Sequence, residues 1–337
     1  MVGGDTMNRY ARQICLPEVG DAGQTAIQAA DVLVVGVGGL GAPVLQYLVA
    51  AGVGRLTLVD GDSVALSNLH RQTLFREADV GKPKAAVAAL TMRALNADCV
   101  IEAFESSLDP ANAAALVAQS TLVLDCADSF AVSYILSDTC KALGVPLISA
   151  SVLEFSGYVG GFCQTAPSLR AIFPDLPDRA KTCATAGVMG PVVGMIGAAQ
   201  AQMALAYLIG QKPSPLGQLI RFDLQNFRSS GFRFDMAPDP APDLTFIATL
   251  DIGPTDFVVD LRDTDEAARP VVAHAARLTV AQIADQHATP TVNQRAVFAC
   301  RSGLRAWQAA THLRSYWDGD IKLIAMGDTP PTERQPI

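Results

Sequence analysis

The chain has 337 residues, half of them hydrophobic and 17% charged, with a formal net charge of −8. That supplies apolar material for two globular cores of unequal size. The acidic balance lacks the clustered Lys and Arg that neutralise a phosphate backbone, so no nucleic-acid partner is expected. No basic stretch followed by an apolar run and a small-residue cleavage site opens the sequence, and the expected location is cytoplasmic.

Residues 31–36, Asp-Val-Leu-Val-Val-Gly, predict a short strand ended by glycine, and a helix is predicted from Ala42 to Ala51. Further strand signals at Arg55–Asp60, Val100–Phe104, Thr121–Asp125 and Pro146–Ser149 alternate with alanine-rich helical segments. This is the pattern of an α/β fold with a doubly wound, mostly parallel, Rossmann-like sheet. The apolar run from Val188 to Ile209 reaches membrane-spanning length. It contains Pro191, three glycines, Gln200 and Gln202, which predicts a buried helix of a soluble core and no membrane partner.

From Met236 to Leu244 the sequence turns to Ala-Pro-Asp-Pro-Ala-Pro-Asp, a proline-rich spacer. It divides the chain into residues 1–235, a linker 236–244 and a second unit 245–329. The second unit has strand signals at Phe257–Asp260 and Ala296–Cys300 and a helical stretch from Leu304 to Tyr316, again α/β but smaller.

Seven cysteines stand at Cys15, Cys99, Cys126, Cys140, Cys163, Cys183 and Cys300, none at Cys-x-x-Cys spacing. Neither a zinc site nor a disulfide framework is suggested. Four histidines lie outside any nucleophile motif, which leaves a hydrolase triad without support.

Gly36-x-Gly38-Gly39-x-Gly41 follows a strand and opens a helix, so the backbone turns tightly and aims helix N-terminal amides at a phosphate. Asp60, about twenty residues on, ends the next strand, where an acid commonly holds a ribose hydroxyl. NAD, FAD and ATP all satisfy this pattern, and an NAD-dependent oxidoreductase is one alternative it allows. Further charges favour ATP: Arg9-Tyr10-x-Arg12-Gln13, Ser67-Asn68-Leu69-His70-Arg71-Gln72 and Gly81-Lys82-Pro83-Lys84. A triphosphate of about four negative charges needs such cations, because displacement at phosphorus is catalysed mainly by positioning and charge stabilisation. Asp125-Cys126-Ala127-Asp128 adds a carboxylate where Mg²⁺ could sit.

In this order and spacing, these motifs resemble those of the MoeB/ThiF (HesA) family, bacterial relatives of ubiquitin-activating enzymes, over roughly the first 235 residues. The resemblance implies an adenylyltransferase that uses ATP and Mg²⁺ to activate the C-terminal Gly-Gly carboxylate of a ubiquitin-like sulfur carrier protein. It implies a homodimer in which Arg12 is an arginine finger supplied across the interface. Asp60 would hold the ribose, Asn68, Arg71 and Lys84 the phosphates, and Asp128 the magnesium. The chain departs from the family at Ser129 and Ser133, where an asparagine and an arginine are usual, and lacks the family's two zinc-binding Cys-x-x-Cys pairs. The serines keep a second alternative open, a carrier-binding protein of the same fold without catalysis.

Two cysteines are candidates for sulfur chemistry. Cys183, near Lys181 and ahead of the long helix, matches a family segment whose cysteine can link covalently to the carrier. A structural cysteine at a helix start is the other reading. Cys300 begins Cys300-Arg301-Ser302-Gly303-Leu304-Arg305, a loop between a strand and a helix whose amides can converge on one anion. Arg301, Arg305 and the helix dipole predict a lowered thiol pKa and a terminal persulfide, which implies a persulfide donor. With Val258-Val259-Asp260-Leu261-Arg262 upstream, this loop resembles the rhodanese sulfurtransferases over roughly residues 245–329. The segment around His274 departs from the usual Gly-His-Ile-x-Gly-Ala pattern. Such a pairing of units implies thiocarboxylate formation of the molybdopterin or thiamine biosynthetic type.

Overall fold

A computed structural model describes residues 9–176, 187–286 and 288–327. The first sheet contains β1 (Asp31–Val35), β2 (Arg55–Val59), β3 (Val100–Phe104), β4 (Leu122–Asp125), β5 (Leu147–Leu153), β6 (Ser156–Phe162), β7 (Gln218–Asp223) and β8 (Arg228–Arg233). Their spatial order is β3-β2-β1-β4-β5-β6-β7-β8. The pairs from β3 to β5 are parallel, and those from β5 to β8 are antiparallel. Central β1 and β4 are buried almost throughout, as parallel strands covered on both faces must be. The helices here are α1 (Ala11–Ile14), α2 (Gly20–Gln28), α3 (Gly41–Ala51), α4 (Lys84–Leu95), α5 (Pro110–Ala118), α6 (Phe130–Leu143) and α7 (Gly190–Leu208).

Helix α7 is long and apolar enough to cross a membrane by length and composition alone. Here it packs on α3, β5 and β6, with Val193, Ile196 and Ala204 in one hydrophobic cluster with Leu45. Its buried Gln200 makes it a polar strut. The amide donates to the carbonyls of Asp125 at 2.7 Å and Ile148 at 3.1 Å, tying α7 to the ends of β4 and β5.

The second sheet contains β9 (Thr245–Phe246), β10 (Phe257–Asp260), β11 (Ala276–Arg277), β12 (Ala296–Cys300) and β13 (Ile321–Ala325), with α8 (Val280–Ala284) and α9 (Leu304–Arg314). All its pairs are parallel, in the order β11-β10-β12-β13-β9. The proline-rich segment before it is tied down. Asp239 accepts the Ser168 hydroxyl at 2.6 Å and pairs with Lys141 at 2.7 Å, and Asp243 pairs with Arg314 at 2.7 Å.

The two sheets share a hydrophobic cluster in which Tyr134 and Ala131 of α6 join Phe246 and Trp307. Arg170 is buried in this junction. It forms a two-pronged ion pair with Asp138 at 2.7 and 2.8 Å and donates to the Leu244 carbonyl at 2.9 Å. Its guanidinium lies 4.8 Å from the Tyr134 ring centre and 5.8 Å from that of Trp307. One cation thus satisfies acceptors from α6 and from the segment that leads into β9, and a planar guanidinium is the side chain able to do so while stacked on rings.

Asp125, at the end of β4, is fully buried, and burial pushes its carboxyl up to about 6 against hydrogen bonds from Ser133, Ser149 and the Ala127 amide.

Two outcomes follow. Arg170→Ala is expected to lose about 3–5 kcal/mol of unfolding free energy, because Asp138 and the Leu244 carbonyl lose their partner, with Arg170→Lys between the two, as read by urea denaturation. For Asp125, the folded state holds its proton up to about pH 6 while the unfolded chain releases it near 3.8. Its contribution is therefore most favourable below the unfolded value and declines as pH rises through the folded one. Relative to Asp125→Asn, the native chain should lose on the order of 3 kcal/mol between pH 4 and pH 6.5. Equal slopes for the two proteins across that window would refute the assignment.

Candidate active site

Between β1 and α3 the chain makes a turn that only glycine permits. Gly36 has φ +89°, and a Cβ there would lie 2.6 Å from the Cys126 carbonyl oxygen, while a Cβ at Gly41 would lie 2.2 Å from the Gly36 oxygen. The turn sits where β1 is flanked by β2 on one side and β4 on the other, the switch point at which doubly wound sheets open a crevice. Asp60 fixes its shape. The Val37 amide donates to one carboxylate oxygen at 2.7 Å and the Asp62 amide to the other at 2.8 Å. Each oxygen keeps a second acceptor site. Burial pushes the Asp60 carboxyl up, opposed by Lys84 and by these two amides.

Over this turn lies a cavity of about 610 Å³. Gly36, Gly38, Gly39 and Asp60 line one side, and Arg71, Lys84 and Asp128 contribute side chains. Lys84 begins α4, is nearly buried, and holds Asp62 at 2.7 Å. Arg71 is steadied by the Ser67 carbonyl at 3.2 Å and the His70 ring at 2.8 Å. The other predicted residues do not line this cavity. Asn68 turns its side-chain oxygen back to the Ala65 amide at 3.2 Å, Arg12 is exposed on α1, and Gly41 lies beneath the turn. Cys183 lies outside the described residues.

Gln72 was not singled out in the sequence, although it closes the motif that contains Arg71. Its side chain lines the cavity, and its buried Oε1 has no hydrogen-bond partner among the described residues. A buried acceptor left this way fits a site built for a ligand with donors. Asp128 follows β4 and is exposed to the cavity. One hard oxygen donor beside a phosphate site suits Mg²⁺, which binds through one or two carboxylates, phosphate oxygens and water. Among the described residues, no group of three or more His, Cys, Asp or Glu gathers as a metal cluster.

The cysteine loop connects β12 to α9. Cys300 has no exposed surface, and the amides of Gly303 at 3.1 Å and Ala306 at 3.4 Å donate to its sulfur. The expected lowering of its pKa is overturned. Burial pushes the thiol up and outweighs the Ala306 amide, Arg305 and the Gly303 amide. Arg305 is held by the Leu261 carbonyl at 2.8 Å and by Glu266. The loop itself is closely packed: Gly303 has φ +86°, and a Cβ there would lie 2.8 Å from the Phe246 ring of its own sheet and 3.1 Å from Ala131 of α6.

Residues 10–244 match the ThiF family. The Haloferax volcanii SAMP-activating enzyme E1 is 38% identical over 235 residues, 69% of this chain and 87% of that protein. The Thermus thermophilus sulfur carrier protein adenylyltransferase is 41% identical over 227 residues, 65% of this chain and 84% of that protein. The Xenopus laevis adenylyltransferase and sulfurtransferase MOCS3 is 40% identical over 247 residues, 71% of this chain, which spans about half (55%) of that protein's length. Among solved structures, PaaA matches with TM-score 0.59 and 26% identity over 69% of this chain and 75% of that one. E. coli MccB in complex with ATP matches with TM-score 0.58 and 21% identity, over 67% and 71% of the chains, a likeness of fold. With a glycine turn, acid and cation set of this kind at the switch point, the chain belongs to the ThiF family.

Proposed function

We propose that this protein is an ATP-dependent adenylyltransferase that activates the C-terminal Gly-Gly carboxylate of a ubiquitin-like sulfur carrier protein. The observation that carries the reading is the single cavity in which the glycine turn, Asp60, Arg71, Lys84 and Asp128 converge. The relatives support it, since one is a sulfur carrier protein adenylyltransferase and another a SAMP-activating enzyme E1.

In the reaction, a carboxylate oxygen of the carrier attacks the α-phosphorus of ATP, and the bond to the bridging oxygen breaks to release pyrophosphate. Arg71 and Lys84 stabilise the charge on the phosphate oxygens, and the turn amides orient them. Asp128 would hold Mg²⁺, which neutralises phosphate charge when bound. Arg12, exposed and outside its own cavity, suits a residue given to a partner subunit of a homodimer.

We read residues 1–235 as the adenylating domain, 236–244 as its linker and 245–329 as a rhodanese-like domain that handles sulfur. A donor protein would leave a persulfide on Cys300, and its terminal sulfur would attack the acyl-adenylate, expelling AMP and giving an acyl disulfide. A second thiol, for which Cys183 is the candidate, then attacks the Cys300 sulfur. This forms a protein disulfide and releases the thiocarboxylate, in a pathway of the molybdopterin or thiamine type. Joining both domains in one chain raises the effective concentration of sulfur near the adenylate.

The serines at 129 and 133 motivate a second reading, carrier binding without catalysis. ATP–pyrophosphate exchange with candidate Gly-Gly-terminated carriers separates the two. Carrier-dependent exchange that falls at least a hundredfold in Asp128→Ala is expected, and carrier binding without exchange would favour the second reading. For the sulfur step, Cys300→Ser should keep exchange and lose thiocarboxylate, detected by mass spectrometry of the carrier. Thiocarboxylate formation that persists in Cys300→Ser would remove Cys300 from the pathway.

A further inference from the structure

The nucleotide cavity does not end where the family match ends. The family segment stops at residue 244, yet the residues lining the cavity include Phe246, Arg301, Ala325 and Gly327 from the second unit. Contact here is close, because the loop that carries Arg301 packs through Gly303 against Ala131 in the first turn of α6.

Charge makes the placement matter. Among the described residues lining the cavity, five aspartates (Asp60, Asp62, Asp109, Asp128 and Asp175) face three cations, Arg71, Lys84 and Arg301. Lys84 is engaged with Asp62 at 2.7 Å. The residues of α6 and its N-cap that line the cavity, from Ser129 to Ile135, are all neutral. A polyphosphate entering a cavity so rich in carboxylate meets repulsion unless every cation contributes, and Arg301 is the one cation among the described lining residues that comes from the second unit. A guanidinium is also suited to grip a phosphate through paired N–H donors.

We propose that Arg301 is a nucleotide-binding residue: the second unit supplies, within the same chain, a guanidinium that binds the phosphates of the nucleotide held by the first. This rests on the reading of the cavity as a nucleotide site and deepens it. The second sheet is then a wall of the adenylating site as well as a carrier of sulfur chemistry. Its docking on α6 becomes a condition for tight nucleotide binding.

The test is calorimetric binding of adenosine, AMP and Mg²⁺-ATP to the full-length chain, native and with Arg301→Ala or Arg301→Lys. A charge-assisted hydrogen bond to phosphate predicts that Arg301→Ala weakens ATP by tenfold or more and leaves adenosine unchanged, with Arg301→Lys recovering part of the loss. Unchanged ATP affinity in Arg301→Ala overturns the proposal. So does an equal loss for adenosine, which would mark a merely structural role. Pyrophosphate exchange run alongside keeps the two readings apart. If exchange is absent but ATP affinity still depends on Arg301, adenylation fails and this proposal stands. If the native chain binds no ATP, both fall.

Discussion

The arrangement of the whole molecule depends on where one buried cation finds its acceptors. Arg170 comes from the segment that follows β6, pairs with Asp138 of α6, and reaches the carbonyl of Leu244 immediately before β9. A guanidinium with this little exposure is tolerated only if its donors are met, because an unpaired buried charge is among the most costly defects a fold can carry. Undocking the second sheet would take away the Leu244 acceptor and the Trp307 ring together. The pairing therefore couples the position of the second unit to the stability of the first, which a proline-rich spacer alone could not do.

A second polar framework holds the site from beneath. The ends of β1, β2 and β4 converge where Gly36 crosses the Cys126 carbonyl, and each end is fixed by a buried polar group. Asp60 gathers the amides of Val37 and Asp62, and Gln200 takes the carbonyls of Asp125 and Ile148 from the far face. Asp125 accepts the hydroxyl of Ser149 at 2.8 Å. Ser133, a departure from the usual family pattern, thus has a local task, since its hydroxyl also favours the ionised form of Asp125. Fully satisfied networks of this kind rigidify, and a rigid floor lets backbone amides act on a phosphate without reorganising.

The glycine turn, Asp60, Lys84 and Asp128 were legible in the sequence because each answers a constraint that few residue types can meet. A positive φ, a backbone contact at van der Waals limit or a carboxylate at a strand end leaves a local mark. Strands β6 and β8 left none. β6 reads Ser-Gly-Tyr-Val-Gly-Gly-Phe, and its glycines mask the alternation, while β8 is an exposed edge strand with no apolar face to reveal it. Arg170 was a lone arginine in a loop, and nothing local says that Asp138 and Leu244 converge on it. The Cys300 loop was legible as a motif, but its thiol was read with the wrong sign. The arginines are visible in the sequence, whereas the burial that raises the thiol is a product of tertiary packing that no local motif reveals.

That same burial constrains any account of sulfur transfer. A sulfur with no exposed surface is closed to a protein donor, so any charging of Cys300 from outside would require its loop to open. Opening would move Arg301 away from the cavity that it lines here. An open arrangement would differ from this docked one by the few named contacts at the junction. Nucleotide phosphate bound to Arg301 would favour the docked one, because a ligand shifts such an equilibrium by its difference in affinity for the two states.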